Sequence, residues 1–329
     1  MGQSEGEQGV VLTRGLTRRY RGRAVVDGLD VVVPAGVVCG LVGPNGAGKT
    51  TTLRMLLGLV RPTAGTAWVL GSPIDRPGRY LPRVGALIEG PAFQAGLSGT
   101  DNLLVLARAG RLPASRIPPV LARVGLAADA GRSFRSYSLG MKQRLAIAAA
   151  LLPDPDLLVL DEPLNGLDPA GICELRELIR GFAAEGGTAL VSSHLLGELA
   201  HVAGHLVVLR AGRTVFAGPT AQLPDGHPPR VVLRTERPED AVRLAEMAGG
   251  ESGSGVAGDD LGQVVVELPA GLPEEAAYVR AGELNGRARD AGIVLTRVEV
   301  LRPSLEDVFF ELTADPGRAG SGVADGEVA

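Results

Sequence analysis

The chain has 329 residues, 45% of them hydrophobic and 21% charged, which is typical of a globular protein of about two domains. Its formal net charge of −4 argues against the broad basic surface of a nucleic-acid-binding protein. No apolar run approaches the ~18 residues of a membrane span, and the acidic start MGQSEGEQGVV predicts no signal peptide. The two cysteines, Cys39 and Cys173, lack metal-ligand spacing, so we expect buried structural thiols in a reducing cytosol.

The predicted elements begin with strands. Between residues 10 and 36, the segments VVLTRGLTRRY and AVVDGLDVVVPAG alternate short apolar runs with turn residues, which predicts antiparallel strands. The apolar run Val37–Val42 that follows is rich in valine and indicates a buried strand. Residues 51–57 then have the pattern of an opening helix.

Between that strand and that helix lies GPNGAGKTT, which fits the phosphate-loop pattern G-x-x-x-x-G-K-[ST]. Glycines let such a loop turn its backbone N–H groups toward phosphate oxygens, and the helix N-terminus adds about half a positive charge. Lys49 is expected to reach the β- and γ-phosphates, and the Thr50 hydroxyl to bind Mg²⁺. The nucleotide-binding candidates are Gly43, Pro44, Asn45, Gly46, Ala47, Gly48, Lys49, Thr50 and Thr51.

Lysine usage supports this interpretation. The chain contains 31 arginines and only two lysines, Lys49 and Lys142. A compact ammonium suits a phosphate cradle better than a planar guanidinium does. An incidental glycine-rich turn would not need a strand before it and a helix after it.

Residues beyond the first helix indicate an α/β core that contains a helical insert. TAWVLG predicts a strand, and residues from about 86 to 137 form the insert, with a helix that Ser98 or Thr100 would cap. A helix ending at Pro153, the strand DLLVLDEP, a helix at 170–184, the strand TALVSS, the helix HLLGELAHVA and the strand HLVVLRAGRTVFAG follow. Strands that alternate with helices predict a largely parallel sheet.

A linker, PDGHPP, predicts the start of a second domain. Residues 229–313 combine strand and helix patterns into a small α/β domain, whose last helix carries Leu305, Val308, Phe309 and Leu312 on one face. Ser304 and Asp307 resemble a capping box at the start of that helix. Residues 314–329 have the composition of a disordered tail.

Polar residues at strand and helix ends complete the candidate site. Asp161 and Glu162 follow a buried strand, where they could bind Mg²⁺ and polarise an attacking water, or else begin a helix as an acidic pair. Ser138 and Gly140 begin a helix that could hold an anion. His194 follows TALVSS, where it could contact a γ-phosphate or only cap a helix.

The order of these motifs resembles the ATP-binding-cassette ATPases over about residues 10–222. GPNGAGKTT corresponds to Walker A, YSLGMKQR to the signature, LLVLDEP to Walker B, NGLDP to the D-loop and SSHLL to the switch histidine. The segments YSLGMKQRLAIAAALLPDPDLLVLDEPLNGLDP and RPSLEDVFFELT further resemble the ATPase subunits of bacterial daunorubicin- and bacitracin-type exporters. The resemblance implies a P-loop NTPase core of mostly parallel sheet with an antiparallel β subdomain, in a domain spanning residues 10–223.

The resemblance also implies roles for these residues. Glu162 and His194 would be catalytic, Thr50 and Asp161 would hold Mg²⁺, and Asp168 would belong to the D-loop. In an ATP-dependent head-to-tail homodimer, each ATP would lie between one subunit's Lys49 loop and the partner's signature. The signature residues are Ser138, Leu139, Gly140 and Met141.

Tyr20 is the aromatic residue that the resemblance expects to stack on adenine, although structural packing is the alternative. Two departures from the broad family stand out. The signature has Tyr-Ser-Leu-Gly-Met in place of Leu-Ser-Gly-Gly-Gln, which alters the backbone and amide groups at Leu139 and Met141. Glu89 replaces the usual glutamine between core and insert, so it would either bind the metal or contact the permease.

The predicted function is therefore Mg²⁺-dependent ATP hydrolysis that powers a separate integral membrane permease. Its cargo would be a drug, antibiotic or other small hydrophobic compound. Such a subunit would lie in the cytoplasm, on the inner face of the membrane, without a nucleic-acid partner. The alternative is a soluble ABC ATPase that acts as a regulator or on nucleic acid or ribosomes, against which the acidic balance argues.

Overall fold

The structure is a computed structural model that describes residues 9–88, 93–224, 227–249, 256–258, 262–269, 271–302 and 304–314. The chain divides into two compact units, one of Met1–Thr220 with Leu312–Ala329 and the other of Ala221–Glu311. Glu89 and the predicted disordered tail beyond residue 314 lie outside the described residues. In the described part of the chain, every helix is too short or too polar to span a lipid bilayer.

The first unit contains the strands and helices that carry the predicted motifs. Its strands are β1 (Val11–Tyr20), β2 (Arg23–Val33), β3 (Val38–Val42), β4 (Ala64–Val69), β5 (Ser72–Pro73), β6 (Val84–Leu87), β7 (Leu157–Leu160), β8 (Thr188–Ser193), β9 (His205–Arg210) and β10 (Arg213–Pro219). Its helices are α1 (Lys49–Leu56), α2 (Gly99–Ala109), α3 (Ile117–Arg123), α4 (Leu139–Leu151), α5 (Pro169–Ala184) and α6 (Leu196–Ala200).

The N-terminal strands form the predicted antiparallel subdomain, a four-stranded sheet in the order β2-β1-β4-β5. Alternate residues of β2 point inward, so Leu29, Val31 and Val33 are buried while the residues between them are exposed. The apolar face of this sheet and residues of β3 and α1 belong to one hydrophobic core. The subdomain is thereby joined to the strand and helix that flank the phosphate loop.

The central sheet has six strands in the order β10-β9-β3-β8-β7-β6. Strands β9, β3, β8, β7 and β6 pair in parallel, as predicted, and every residue of β3, β7 and β8 is buried. Burial on both faces explains why these strands contain no charged residue and are largely apolar. Parallel pairing also places the carboxyl ends of β3, β7 and β8 at the same edge of the sheet.

The prediction of one continuous strand over residues 205–218 is wrong. The segment forms a hairpin, in which β9 and β10 pair antiparallel around Ala211 and Gly212. Both turn residues have left-handed backbones, with φ of 48° and 82°. Alanine rarely adopts that conformation, so the glycine was the only turn indicator in this segment.

The predicted helical insert contains α2 and α3, which lie between β6 and α4 in the chain. Ser98 caps α2, because its hydroxyl accepts a hydrogen bond from the Asp101 backbone N–H at 3.0 Å. The side chain of Asn102, only 3% exposed, bonds both the backbone N–H and the carbonyl of Gln94. These bonds fasten the segment before the helix to the helix itself.

The two cysteines differ in their surroundings. Cys39 is buried in β3, and desolvation raises the pKa of its thiol to about 12. Cys173 is exposed on α5, so the prediction of a buried thiol is wrong for this residue. Helix α5 buries Leu175, Ile179 and Phe182, and Cys173 lies off that apolar face.

The second unit is built on a four-stranded sheet in the order β12-β13-β11-β14, and all its described pairings are antiparallel. Val231, Leu233, Val264 and Val266 of this sheet form one core with residues of the helices. Its strands are β11 (Arg230–Thr235), β12 (Val256–Gly258), β13 (Gln263–Glu267) and β14 (Leu295–Leu301), and its helices are α7 (Asp240–Gly249) and α8 (Glu274–Asp290).

A last helix, α9 (Leu305–Thr313), has the predicted apolar face, on which Val308 and Phe309 are buried. Its capping box is also confirmed. The Ser304 hydroxyl accepts a hydrogen bond from the Asp307 N–H at 3.1 Å, and the Asp307 carboxylate accepts one from the Ser304 N–H at 3.0 Å.

Candidate nucleotide site

The loop between β3 and α1 has a backbone that only glycine allows at two positions. Gly48 has φ of 103°, and a Cβ there would lie 2.7 Å from the Val25 carbonyl oxygen. A Cβ on Gly43 would lie 2.3 Å from the Leu209 carbonyl oxygen. The pattern of glycines in the sequence therefore has a steric cause, since neighbouring backbone approaches the loop at both ends.

The loop residues divide by exposure. Pro44, Asn45 and Gly46 are exposed at the tip, whereas Ala47 and Gly48 are buried. Thr50 and Thr51 are half-buried in the first turn of α1. A helix N-terminus beneath an exposed loop is the arrangement that holds phosphate groups.

Lys49 turns back from α1 into the loop, and its side chain is only 6% exposed. Its ammonium donates a hydrogen bond to the Gly43 carbonyl at 2.7 Å and lies 3.2 Å from Glu162 Oε1. A buried ammonium needs such partners, because burial without them would carry a large desolvation cost. The structure thus brings together the lysine and one carboxylate of the acidic pair.

Glu162 also contacts the loop after β8. Its Oε2 lies 2.9 Å from His194 Nδ1 and accepts a hydrogen bond from the His194 backbone N–H at 3.3 Å. His194 lies just beyond β8 and before α6, rather than inside the predicted helix. The carboxylate of Glu162 therefore connects Lys49 of the phosphate loop to His194.

Asp161 comes directly after β7, where its Oδ1 accepts a hydrogen bond of 2.6 Å from the Ser192 hydroxyl. The same hydroxyl accepts a bond of 2.8 Å from the Glu162 backbone N–H. Sequence reasoning did not select Ser192. The indicator was present, because two serines end the otherwise apolar strand TALVSS at the edge where the acids lie.

The signature and D-loop residues come together at a separate place. Ser138 caps α4 through the Met141 N–H at 3.2 Å, and Asp168 caps α5 through the Gly171 N–H at 3.1 Å. Together with Leu139 and Gly140, they line a cavity of about 350 Å³. Within one chain, this cavity does not include the described phosphate-loop residues.

Tyr20 ends β1 with its side chain 41% exposed. The Arg18 guanidinium lies over the ring, 4.4 Å from its centroid, in the geometry of a cation–π contact. The ring is therefore supported by a neighbour yet still accessible to a planar group. Glu89 lies outside the described residues, so both of its predicted roles stay predictions.

These features define the class. A glycine-rich loop opens a helix after a buried parallel strand, and a carboxylate pair ends a second strand of the same sheet. This is the arrangement of a P-loop nucleoside triphosphatase.

Comparison with known proteins identifies the family within that class. Residues 26–165 match the ABC transporter family. The chain is 36% identical over 306 residues to the bacitracin transport ATP-binding protein BcrA of Bacillus licheniformis, which covers 92% of this chain and 97% of that protein. It is 35% identical over 312 residues to the daunorubicin resistance ATP-binding protein DrrA3 of Streptomyces coeruleorubidus, covering 92% and 96%.

The fold leads to the same family. A solved ATP-binding subunit of an ABC transporter superposes with a TM-score of 0.59 at 30% identity, covering 65% of this chain and 91% of that one. The chain belongs to the ABC transporter family and is one of its ATPase subunits.

Proposed function

We propose that this chain hydrolyses ATP with Mg²⁺ to power a separate membrane permease that exports a drug, an antibiotic or another small hydrophobic compound. The observation that carries the proposal is the position of the Glu162 carboxylate, between the Lys49 ammonium at 3.2 Å and His194 Nδ1 at 2.9 Å. The export of such compounds is supported by similarity to bacitracin and daunorubicin proteins over 92% of the chain.

In this proposal, Glu162 is the general base that accepts a proton from the attacking water. Lys49 balances the charge of the β- and γ-phosphates, and His194 contacts the γ-phosphate. Tyr20 stacks on the adenine ring through its exposed face. The contacts among Lys49, Glu162 and His194 support these roles, because they bring the proposed base next to the two side chains proposed to contact the phosphates.

The residues proposed for Mg²⁺ are Thr50 and Asp161. They fit a magnesium ion, because both offer oxygen atoms and the Ser192 hydrogen bond engages only Oδ1 of the Asp161 carboxylate. The described residues contain no group of three or more His, Cys, Asp or Glu side chains able to hold a metal. A site completed by water and phosphate oxygens needs no such group. When bound, Mg²⁺ would neutralise charge on the phosphates.

We further propose an ATP-dependent head-to-tail homodimer. Ser138, Gly140 and Asp168 line a cavity that lacks the phosphate loop of their own chain. A second copy could bring its phosphate loop to this cavity, so that each ATP is held by the loop of one subunit and the signature of the other. Ser138 and the N-terminus of α4 would then lie next to the phosphates of that ATP.

The permease would hold the subunit at the inner face of the cell membrane. Glu89 and the residues around it would form part of the contact with the permease, although a metal-binding role is the alternative. Mg²⁺ dependence of a Glu89→Ala variant, measured with and without the permease, separates the two.

The Glu162→Gln variant tests the central proposal. Glutamine keeps the shape and the hydrogen-bonding capacity of the side chain but cannot accept a proton from the attacking water. We expect turnover to fall about 100-fold or more, while ATP still binds and an ATP-bound dimer accumulates. Steady-state ATPase assays and size-exclusion chromatography with ATP and Mg²⁺ measure these outcomes.

Glu185→Gln provides the matched control, because Glu185 is 66% exposed and pairs with Arg123 on the surface. Its turnover should remain within about twofold of the parent chain, since exposed ion pairs contribute little. Normal turnover in Glu162→Gln would contradict the role of Glu162 as the base. Failure of that variant to bind ATP would contradict the expected dimer.

A further inference from the structure

The side chain of Ser192 is fully buried at the penultimate position of β8. A buried hydroxyl requires hydrogen-bond partners. Here both partners belong to the acidic pair, because the hydroxyl donates to Asp161 Oδ1 at 2.6 Å and accepts from the Glu162 N–H at 2.8 Å. One side chain therefore contacts the proposed metal ligand and the backbone of the proposed base.

The register of the sheet explains why Ser192 reaches both residues. Strands β7 and β8 are parallel, and Leu160 at the end of β7 pairs with Val191. The residue after Leu160 is Asp161, directly beyond the end of β7, and the residue after Val191 is Ser192, still within β8. The serine therefore lies beside the point where the chain leaves the sheet.

At that point the backbone is unusual. Glu162 has φ of 48°, in the left-handed region that non-glycine residues seldom occupy. Such a residue persists only where its surroundings hold it. Three bonds fasten this turn: the Asp161 N–H to the Leu87 carbonyl at 2.8 Å, the Glu162 N–H to Ser192, and the Gln143 side chain to the Pro163 carbonyl at 2.8 Å.

We propose that Ser192 is a positioning residue for ATP hydrolysis. Its hydroxyl fixes the left-handed turn that aims the Glu162 carboxylate between Lys49 and His194. By engaging Oδ1 of Asp161, it also orients that carboxylate and leaves the other oxygen as the one that would bind Mg²⁺. The inference rests on the proposed roles of Asp161 and Glu162, and it assigns the alignment of both acids to one hydroxyl.

Three variants of the full chain test this role. Ser192→Ala removes both hydrogen bonds, whereas Ser192→Thr keeps a hydroxyl at the same carbon. Thr188→Val is the control, because Thr188 lies on the same strand, is 2% exposed, and uses its hydroxyl to bond the Gly36 N–H at 2.9 Å. This control removes a buried hydroxyl at the end of β8 away from the acids.

The measurements are kcat and KM for ATP, and equilibrium ATP affinity in Mg²⁺ and in EDTA. For Ser192→Ala we expect kcat to fall about tenfold or more, with affinity in EDTA within about twofold of the parent chain. The gain in affinity on adding Mg²⁺ should shrink, because the Asp161 carboxylate is no longer oriented. Ser192→Thr should recover kcat to within about threefold, and Thr188→Val should keep both kcat and the Mg²⁺ effect within about twofold.

The inference is overturned if Ser192→Ala retains normal kcat and a normal Mg²⁺ effect. It is also overturned if Thr188→Val loses as much turnover as Ser192→Ala, since the effect would then be one of general stability. A Ser192→Thr variant that folds but is as slow as Ser192→Ala would exclude the hydroxyl as the cause. The Glu162→Gln result is read separately: a slow Glu162→Gln beside a normal Ser192→Ala refutes only the positioning role.

Discussion

The six-stranded sheet of the first unit and the four-stranded sheet of the second unit differ in where their strands end. In the six-stranded sheet, β3, β7 and β8 run parallel, so the phosphate loop, the acidic pair and His194 all follow strands at one edge. In the second unit, the described pairings are antiparallel, so neighbouring strands end at opposite edges. A parallel sheet can therefore gather side chains from distant segments, which is why ligands bind at such edges.

The ion pairs beside these two sheets also differ, in how far they are exposed to solvent. Beside the parallel sheet, Lys49 is buried and its ammonium contacts a carboxylate that is itself largely buried. On the sheet of the second unit, both side chains of the pair Arg230–Glu267 are more than 40% exposed. Exposed pairs contribute little to stability or chemistry, whereas the pair beside the phosphate loop can influence a bound anion.

The largest expected effect is that of replacing Lys49. Lys49→Arg keeps the charge but replaces a point charge by a fork that the loop carbonyls cannot accommodate. We expect ATPase activity to fall about 100-fold, measured at saturating ATP.

Lys142→Arg is the matched control for that experiment. The Lys142 ammonium lies 5.5 Å from the centroid of the Phe134 ring, and a guanidinium can make the same cation–π contact. Activity of this variant should stay within about threefold of the parent chain. A normal ATPase rate in Lys49→Arg would contradict the inference drawn from the scarcity of lysine. An equal loss of activity in both variants would show that ATPase activity depends on side-chain size at either position.

Two core substitutions, one in each unit, should show which unit supports ATP binding. Leu158 in β7 and Leu244 in α7 are both fully buried, so alanine at either position should lower the free energy of unfolding by about 2–5 kcal/mol. Only Leu158→Ala should also change the ATP affinity of the folded chain, because the acidic pair directly follows β7. Leu244→Ala should leave that affinity within about twofold, as measured by equilibrium titration below the unfolding temperature.

The opposite pattern, with ATP affinity lost in folded Leu244→Ala, would mean that the second unit contributes to nucleotide binding. Loss in both variants would show that affinity follows overall stability and would remove the contrast between the sheets.

The smallest expected effect concerns the capping box of α9. Hydrogen bonds from Ser304 lower the pKa of the Asp307 carboxyl below its ordinary value of 3.8. Its contribution to stability is therefore present above pH 3.8 and is lost as the pH falls through the lower, folded-state pKa. We expect Ser304→Ala to lower the unfolding temperature slightly at pH 7, and the difference from the parent chain to narrow as the pH falls below 3.8. A difference that is constant over this range would exclude the ionised carboxylate as its cause.

Much of the first unit could be predicted because its determinants are local. The phosphate loop depends on glycines and a lysine at fixed spacing, and β3 and β7 are short runs without a charged or strongly polar residue. The capping of α2 by Ser98 and of α9 by Ser304 likewise depends on residues three positions apart. Such features are set by neighbours in the chain, so they can be inferred from sequence.

The features that sequence reasoning missed depend on contacts between distant segments. The hydrogen bond from Ser192 to Asp161 depends on the register of β7 and β8, which brings together residues 31 positions apart. The hairpin at Ala211 depends on an alanine that adopts a glycine-like backbone. The exposure of Cys173 depends on which face of α5 meets the core, and the cysteine gave no indication of that face.

Cys173 provides a site for selective labelling, because it is exposed whereas Cys39 is buried. The thiol of Cys39 has a pKa of about 12 and is enclosed by the sheet, so maleimide reagents should leave it unmodified in the folded chain. Cys173, five residues after Asp168, is exposed and can carry a spin label or a fluorophore without any substitution in the natural sequence. Two labelled copies would then report their separation directly, so closure of the proposed dimer could be followed as a distance in a chain without any amino-acid substitution.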